Sequence, residues 1–203
     1  MKFLKYLLIT IVVLFLAFFA IGMIHPEVEY GSKITVSKSI EEAWAVSQDE
    51  SKFPLWLEGF RSIEHISGEF GEVGSKYKVI VNPGEGQPEF EMIETLLEYE
   101  EFDHVSFHFD SEMMDFEQVI SFSEEDGMTH IVTESKVIGK GATMASLFAL
   151  MEKMGGAFTS QETKNQNALK EVIEENTTDY YPVEIDLVLE EVSEDALSEE
   201  IAE

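Results

Sequence analysis

The 203 residues contain no cysteine. Disulfides, thiolate zinc sites, thiol nucleophiles and lipidated cysteine anchors are excluded with it, and the redox compartment is left open. Basic residues are scarce. Thirteen lysines and arginines stand against 41 acids, a formal net charge of −28. A field of that sign repels nucleic acid and anionic lipid surfaces, so a phosphate-backbone partner is ruled out. Arg61 is the only arginine. It has two uses, a surface pair with a nearby Glu or a bidentate grip on a ligand carboxylate. No nucleophile–base arrangement is visible. No calcium-loop pattern surrounds acid pairs such as Glu112/Asp115 and Glu124/Glu125. Gly68, Gly71 and Gly74 have nucleotide-loop spacing, but the usual Lys is missing and a strand follows where phosphate binding needs a helix N-terminus. No cofactor and no metal are expected.

What is present begins with an apolar run over residues 6–24, interrupted mildly by Thr10 and Gly22. At about 1.5 Å per residue it nearly spans a hydrocarbon core of roughly 30 Å. Lys2 and Lys5 precede it, while His25, Glu27 and Glu29 follow. The positive-inside rule then puts the N-terminus in the cytoplasm and the rest outside it, periplasmic or extracellular. The rival is a cleaved signal peptide. Ala20-Ile21-Gly22 is a weak cleavage site, and the run is long for an h-region of about 7–15 residues. An uncleaved single-pass anchor over residues 1–25 is the expectation.

After Pro26, Tyr30, Ile34 and Val36 mark a first strand over residues 28–37. Ser39 with Glu42 makes a capping box that opens a short helix carrying Ile40, Ala43, Trp44 and Val46. Phe53-Pro54-Leu55-Trp56-Leu57 reads as a second short helical turn, with Pro54 suited to its start. Six strands follow by alternation, at 62–66, 76–81, 89–99, 104–110, 114–122 and 129–138, separated by glycine- and acid-rich turns. Short turns between neighbours make the sheet antiparallel.

The chain is organised around residues 142–176. Met144, Leu147, Phe148, Met151, Met154 and Phe158 recur at helical spacing, and Leu169, Val172 and Ile173 continue the stripe after a polar interval. One long helix is expected, with a kink or close approach at Gly155-Gly156, where each glycine costs up to about 1 kcal/mol. From Thr177 onward the composition turns acidic. Val183, Ile185, Leu187 and Leu189 offer one weak extra strand in an otherwise disordered tail over residues 177–203.

Ile34-Thr35-Val36 before Ser39-Ile40-Glu41-Glu42-Ala43-Trp44, then Phe53-Pro54-Leu55-Trp56-Leu57-Glu58-Gly59, then Ser67-Gly68 through Gly74, follow one another in a set order. With Leu147 to Gly156 and Ala168-Leu169-Lys170, that order resembles the START/Bet v 1-like (SRPBCC) superfamily, in its polyketide cyclase/dehydrase-like branch and among membrane-anchored members. The resemblance covers about residues 28–176. It implies an α+β helix-grip fold over 26–176, a seven-stranded antiparallel sheet wrapped round the long C-terminal helix with a hydrophobic cavity between them. Members range from lipid carriers to cyclases to sensors, so fold does not settle function.

If the cavity exists, Trp56, Phe60, Tyr77, Phe107, Phe109, Met114, Phe116, Phe148 and Met151 are its candidate lining. The same residues would fill a solid core equally well. His104 and His108 oppose the Phe107/Phe109 face and are expected to meet water; His65 and His130 are isolated. Binding of a hydrophobic small molecule or lipid by a membrane-tethered module is the first functional expectation. A cyclase- or dehydratase-type enzyme is the second, and needs polar groups inside, with Tyr77, Gln118, Thr133 and Ser135 as candidates. A protein-interaction or envelope-stress module acting through the acidic tail is the third.

Overall fold

The computed structural model describes residues 2–182, apart from 83, 85 and 87; the weak strand expected at 183–189 lies outside them. Helix α1 (Lys2–Ile24) leads into β1 (Glu27–Val36), α2 (Ile40–Gln48), a single 3₁₀ turn (Glu50–Lys52) and α3 (Phe53–Trp56). Then come β2 (Phe60–Ser67), β3 (Lys76–Val81), β4 (Phe90–Glu100), β5 (His104–Asp110), β6 (Met114–Glu125) and β7 (Met128–Gly139). Helices α4 (Gly141–Gly155) and α5 (Ala157–Glu174) close the chain.

The seven strands form one antiparallel sheet in the order β1-β7-β6-β5-β4-β3-β2. Every link but β1–β7 joins chain neighbours through a short connection. The Ser39 hydroxyl accepts from the Glu42 N–H at 3.3 Å, as the capping box requires. The Glu42 carboxylate turns outward instead, to Lys38 and Asn176. Pro54 sits in the first turn of α3.

The expected single rod is two helices. Gly156 adopts φ 56°, a left-handed conformation that ends α4 and that a side chain would disfavour. The Glu152 carboxylate then accepts from the Phe158 N–H at 2.9 Å and from the Thr159 hydroxyl at 2.5 Å, capping α5 across the break. The polar interval is not a break. α5 runs straight through it, with Glu162, Gln166, Leu169 and Ile173 all buried on one face.

Ile34, Val36, Trp44, Val46, Leu96, Val105, Ile120, Phe122, Ile131, Leu169 and Ile173 pack into one sealed cluster. It sits between α2, the C-terminal half of α5 and the sheet end where β1 finishes. Trp44 is 2% exposed and meets Phe122, Phe102 and Tyr99 edge-on, Phe122 at 4.9 Å. Packing continues past Asn176, since the Tyr180 hydroxyl donates to Asp49 at 2.6 Å.

α1 is long and apolar enough to cross a membrane, a property a signal sequence shares. It also touches the folded domain. Its one buried residue is Gly22, and a Cβ there would collide with the Ser146 hydroxyl and backbone of α4. The His25 ring meets the Lys153 ammonium at 2.9 Å beside that crossing.

Candidate functional site

Because side chains alternate along a strand, cross-strand partners line up into rows that share a face. Two adjacent rows on the helix-facing side of the sheet build the site. The first runs Val28, Val137, Phe116, Phe109, Glu94, Tyr77 and His65, from β1 to β2. The second, two residues further along each strand, runs Tyr30, Ser135, Gln118, Phe107 and Leu96. On β1 and β7 these rows are sealed or nearly so. On β4, β5 and β6 the inward-facing Glu94, Phe107, Phe109, Phe116 and Gln118 are only half-buried. The helices lie along β1 and β7, so the concave face over β4–β6 is left partly open.

The aromatic groups form one wall. Phe107 meets Phe109 at 6.0 Å, Phe109 stacks on Phe116 at 5.1 Å, and Phe116 stacks on Tyr30 at 6.3 Å. Tyr30 then meets Phe158 at 5.5 Å and Phe158 meets Phe148 at 5.3 Å, which carries the wall from the sheet onto both helices.

A polar patch lies beside the wall. Gln118 donates to the Ser135 hydroxyl at 3.1 Å and reaches the Glu162 carboxylate at 3.5 Å. Gln166 donates to the other Glu162 oxygen at 3.3 Å. Its own carbonyl, on a residue only 1% exposed, has no hydrogen-bond partner among the described residues. A buried acceptor left alone costs about 1–3 kcal/mol, so the patch suits an incoming donor. Burial, with the Glu162 charge adding, raises the Tyr30 hydroxyl well above its ordinary pKa, so that phenol stays protonated.

Glu94 is the other polar group on this face. Burial, with the Glu50 charge adding, pushes its carboxyl up to about 7. Its in-register neighbours are Phe109 on one side and Tyr77 on the other.

The nine candidate lining residues are not all brought together. Phe107, Phe109, Phe116 and Phe148 share the wall, and Met114 is half-buried at the start of β6. Tyr77 faces inward in the first row, but its hydroxyl accepts from the Gly71 N–H at 2.9 Å and pins the β2–β3 turn. Trp56 lies in the sealed core, and Phe53, packed against that core, joins it to Phe60. Met151 is 43% exposed on the far side of α4. Thr133 and Ser135 are buried and Gln118 faces inward. Tyr30, Glu94, Phe158, Glu162 and Gln166 were not among the site residues expected from the sequence. Glu162 and Gln166 had a usable signal, since they extend the Leu169/Ile173 spacing backward by whole turns.

Elsewhere, Arg61 pairs with Glu89 at 3.5 Å on the surface. His104 pairs with Asp103 at 2.6 Å and Glu98 at 3.5 Å. Glu100, Asp103 and His104 place their ligand atoms within 4.8 Å of one another at the surface, and the His104–Asp103 pair accounts for that grouping. A broad depression on the outer face of the sheet lies over Gly31, edged by Glu29, Lys33, Glu117 and Lys136. Lys136 pairs there with Glu27 and Glu117.

Solved structures with this arrangement are numerous. A conserved protein from Geobacillus kaustophilus superposes with a TM-score of 0.58 at 18% identity, covering 72% of this chain and 95% of that one. A Thermus thermophilus protein gives 0.58 at 14% identity, covering 72% and 97%. The di-domain ARO/CYC StfQ from the steffimycin biosynthetic pathway gives 0.59 at 8% identity, covering 74% of this chain and 52% of that chain. This is a helix-grip arrangement, one antiparallel sheet closed over by C-terminal helices. Its rod is divided in two where one long helix was expected. No protein-family model matches the chain, and no curated protein matches its sequence.

Proposed function

We propose that the protein is a membrane-tethered binding module for an apolar molecule that carries a hydroxyl or similar donor. The carrying observation is the half-open concave face, where an aromatic wall meets a buried patch with an unpartnered acceptor. The wall offers area to an apolar body, and such area contributes about 25 cal/mol per Å² removed from water. The Glu162 and Gln166 oxygens offer a fixed place for one donor. α1 supplies the tether. The fold supports the reading, because its helices lie along β1 and β7 and leave the inward face of β4–β6 only half-buried.

Native mass spectrometry of the delipidated full chain tests this, with oleyl alcohol and the alkene of equal length as paired probes. One equivalent of the alcohol should be retained in preference to the alkene, and Gln166→Leu should remove the preference. Retention of neither probe would count against the reading.

A cyclase- or dehydratase-type reading is favoured by one observation, the Glu94 carboxyl on the same face with its pKa near neutrality. A bound species recovered chemically unchanged supports binding alone. One recovered lighter by a water, with the loss abolished in Glu94→Gln, supports the enzyme.

A further inference from the structure

We infer that α4 lies in the bilayer interface, with the arc made by Leu147, Met151 and Met154 buried among lipid chains, so that the domain meets the membrane through a second element. The inference rests on the reading of α1 as an anchor. It starts from the three faces of α4. Ala145, Phe148 and Ala149 turn toward the sheet and α5. Ser146 turns toward α1, against Gly22. The remaining arc holds Leu147, Met151 and Met154, which are 37%, 43% and 81% exposed. They stand at i, i+4 and i+7, one continuous stripe.

Acids make up 41 of 203 residues in this chain, yet that arc carries none. The two charges of α4 point elsewhere: Glu152 caps α5 and Lys153 meets His25. The exposed side of α5, by contrast, is polar, with Thr163, Lys164, Asn167 and Glu171. An outward stripe of one leucine and two methionines is expensive in water and favourable in hydrocarbon.

Its position says which hydrocarbon. The crossing at Gly22 lies two residues before the end of α1, a rise of about 3 Å. Ser146, and with it the neighbouring Leu147, therefore sits level with the last apolar turn of the anchor. The Lys153–His25 contact holds α4 against the end of the anchor. The arrangement also gives α4 a second role. Phe148 on its inner side belongs to the aromatic wall, so one helix thickness separates the lipid from the site.

The absence of native cysteine makes the test clean. Leu147→Cys, Met151→Cys and Met154→Cys are labelled with a nitroxide, alongside Asn167→Cys on α5 and Phe15→Cys inside α1. The full chain is reconstituted into phosphatidylcholine vesicles, and collisions with oxygen and with a water-soluble nickel chelate are measured. Oxygen should dominate at 147, 151, 154 and 15, and nickel at 167, the ratios differing by several-fold. If nickel dominates at the three α4 sites while Phe15→Cys stays in lipid, the inference falls and the anchor stands. If neither reagent reaches the α4 sites, a second copy covers the stripe and the inference falls. If nickel reaches Phe15→Cys, the anchor reading falls and takes the inference with it.

Discussion

Replacing Glu94 by glutamine should make the protein more stable, and only above a definable pH. The carboxyl faces the interior between Phe109 and Tyr77, and burial raises its pKa from about 4.5 to about 7. An acid whose folded pKa is raised holds its proton longer in the folded state than in the unfolded one. Stability then falls as pH rises from about 4.5 to about 7, and the full penalty persists above that. At about 1.36 kcal/mol per pKa unit the penalty is roughly 3.4 kcal/mol, and partial solvent access trims it to about 2–3. Glutamine keeps the shape and removes the charge. Urea denaturation of the full chain in detergent, read by the fluorescence of Trp44 and Trp56, gives the comparison. With a slope of about 2 kcal/mol per molar urea, the Glu94→Gln midpoint should exceed that of the parent by about 1–1.5 M at pH 8.5. At pH 4 the two midpoints should coincide. The many surface acids titrate alike in both proteins and cancel. Equal midpoints at pH 8.5, or a difference that does not change with pH, would refute the placement of this side chain.

Trp44→Ala should cost about 3–5 kcal/mol in the same denaturation assay, now read by Trp56 alone, because the indole is buried against Phe122, Phe102 and Tyr99. Gly156→Ala should cost about 1 kcal/mol, because its left-handed backbone disfavours a Cβ although space exists for one; an unchanged midpoint would mean that the angle between α4 and α5 adjusts freely.

The strands were legible because their alternation is nearly unbroken. β3 and β5 coincide with the expected ranges, and the others differ by one to three residues at their ends. The two-helix ending was half legible. Gly155-Gly156 marked the place, but which glycine leaves the helix depends on backbone geometry and on Glu152 reaching across to cap α5. The polar interval hid the inward face of α5, since Glu162 and Gln166 look like surface residues until Gln118 and Ser135 are found opposite them. The aromatic wall was partly legible. Phe107, Phe109 and Phe116 share a face by alternation, but register decides which residue of β6 stands opposite which of β5, and alternation carries no register. Trp56 and Met151 show the same limit from the other side. An apolar residue on the right kind of element says nothing of which way that element turns.

Register also explains why one interior serves two purposes. Toward the end of β1 the inward rows are Ile34, Ile131 and Phe122, closed over by Trp44 of α2 and by Leu169 and Ile173 of α5. Those side chains are buried in one apolar cluster, and they hold the fold. Toward the beginning of β1 the rows become Tyr30, Ser135 and Gln118, then Val28, Val137 and Phe116. Here α5 presents Glu162 rather than leucine, and the break at Gly156 sends α4 off along a different line toward α1. A straight rod would have pressed Phe148 and Met151 along the same line as Leu169. The turn at Gly156 instead leaves the concave face over β4–β6 partly uncovered and gives α4 an outward stripe of its own. One left-handed glycine thus accounts both for the opening of the site and for the apolar helix beside the anchor.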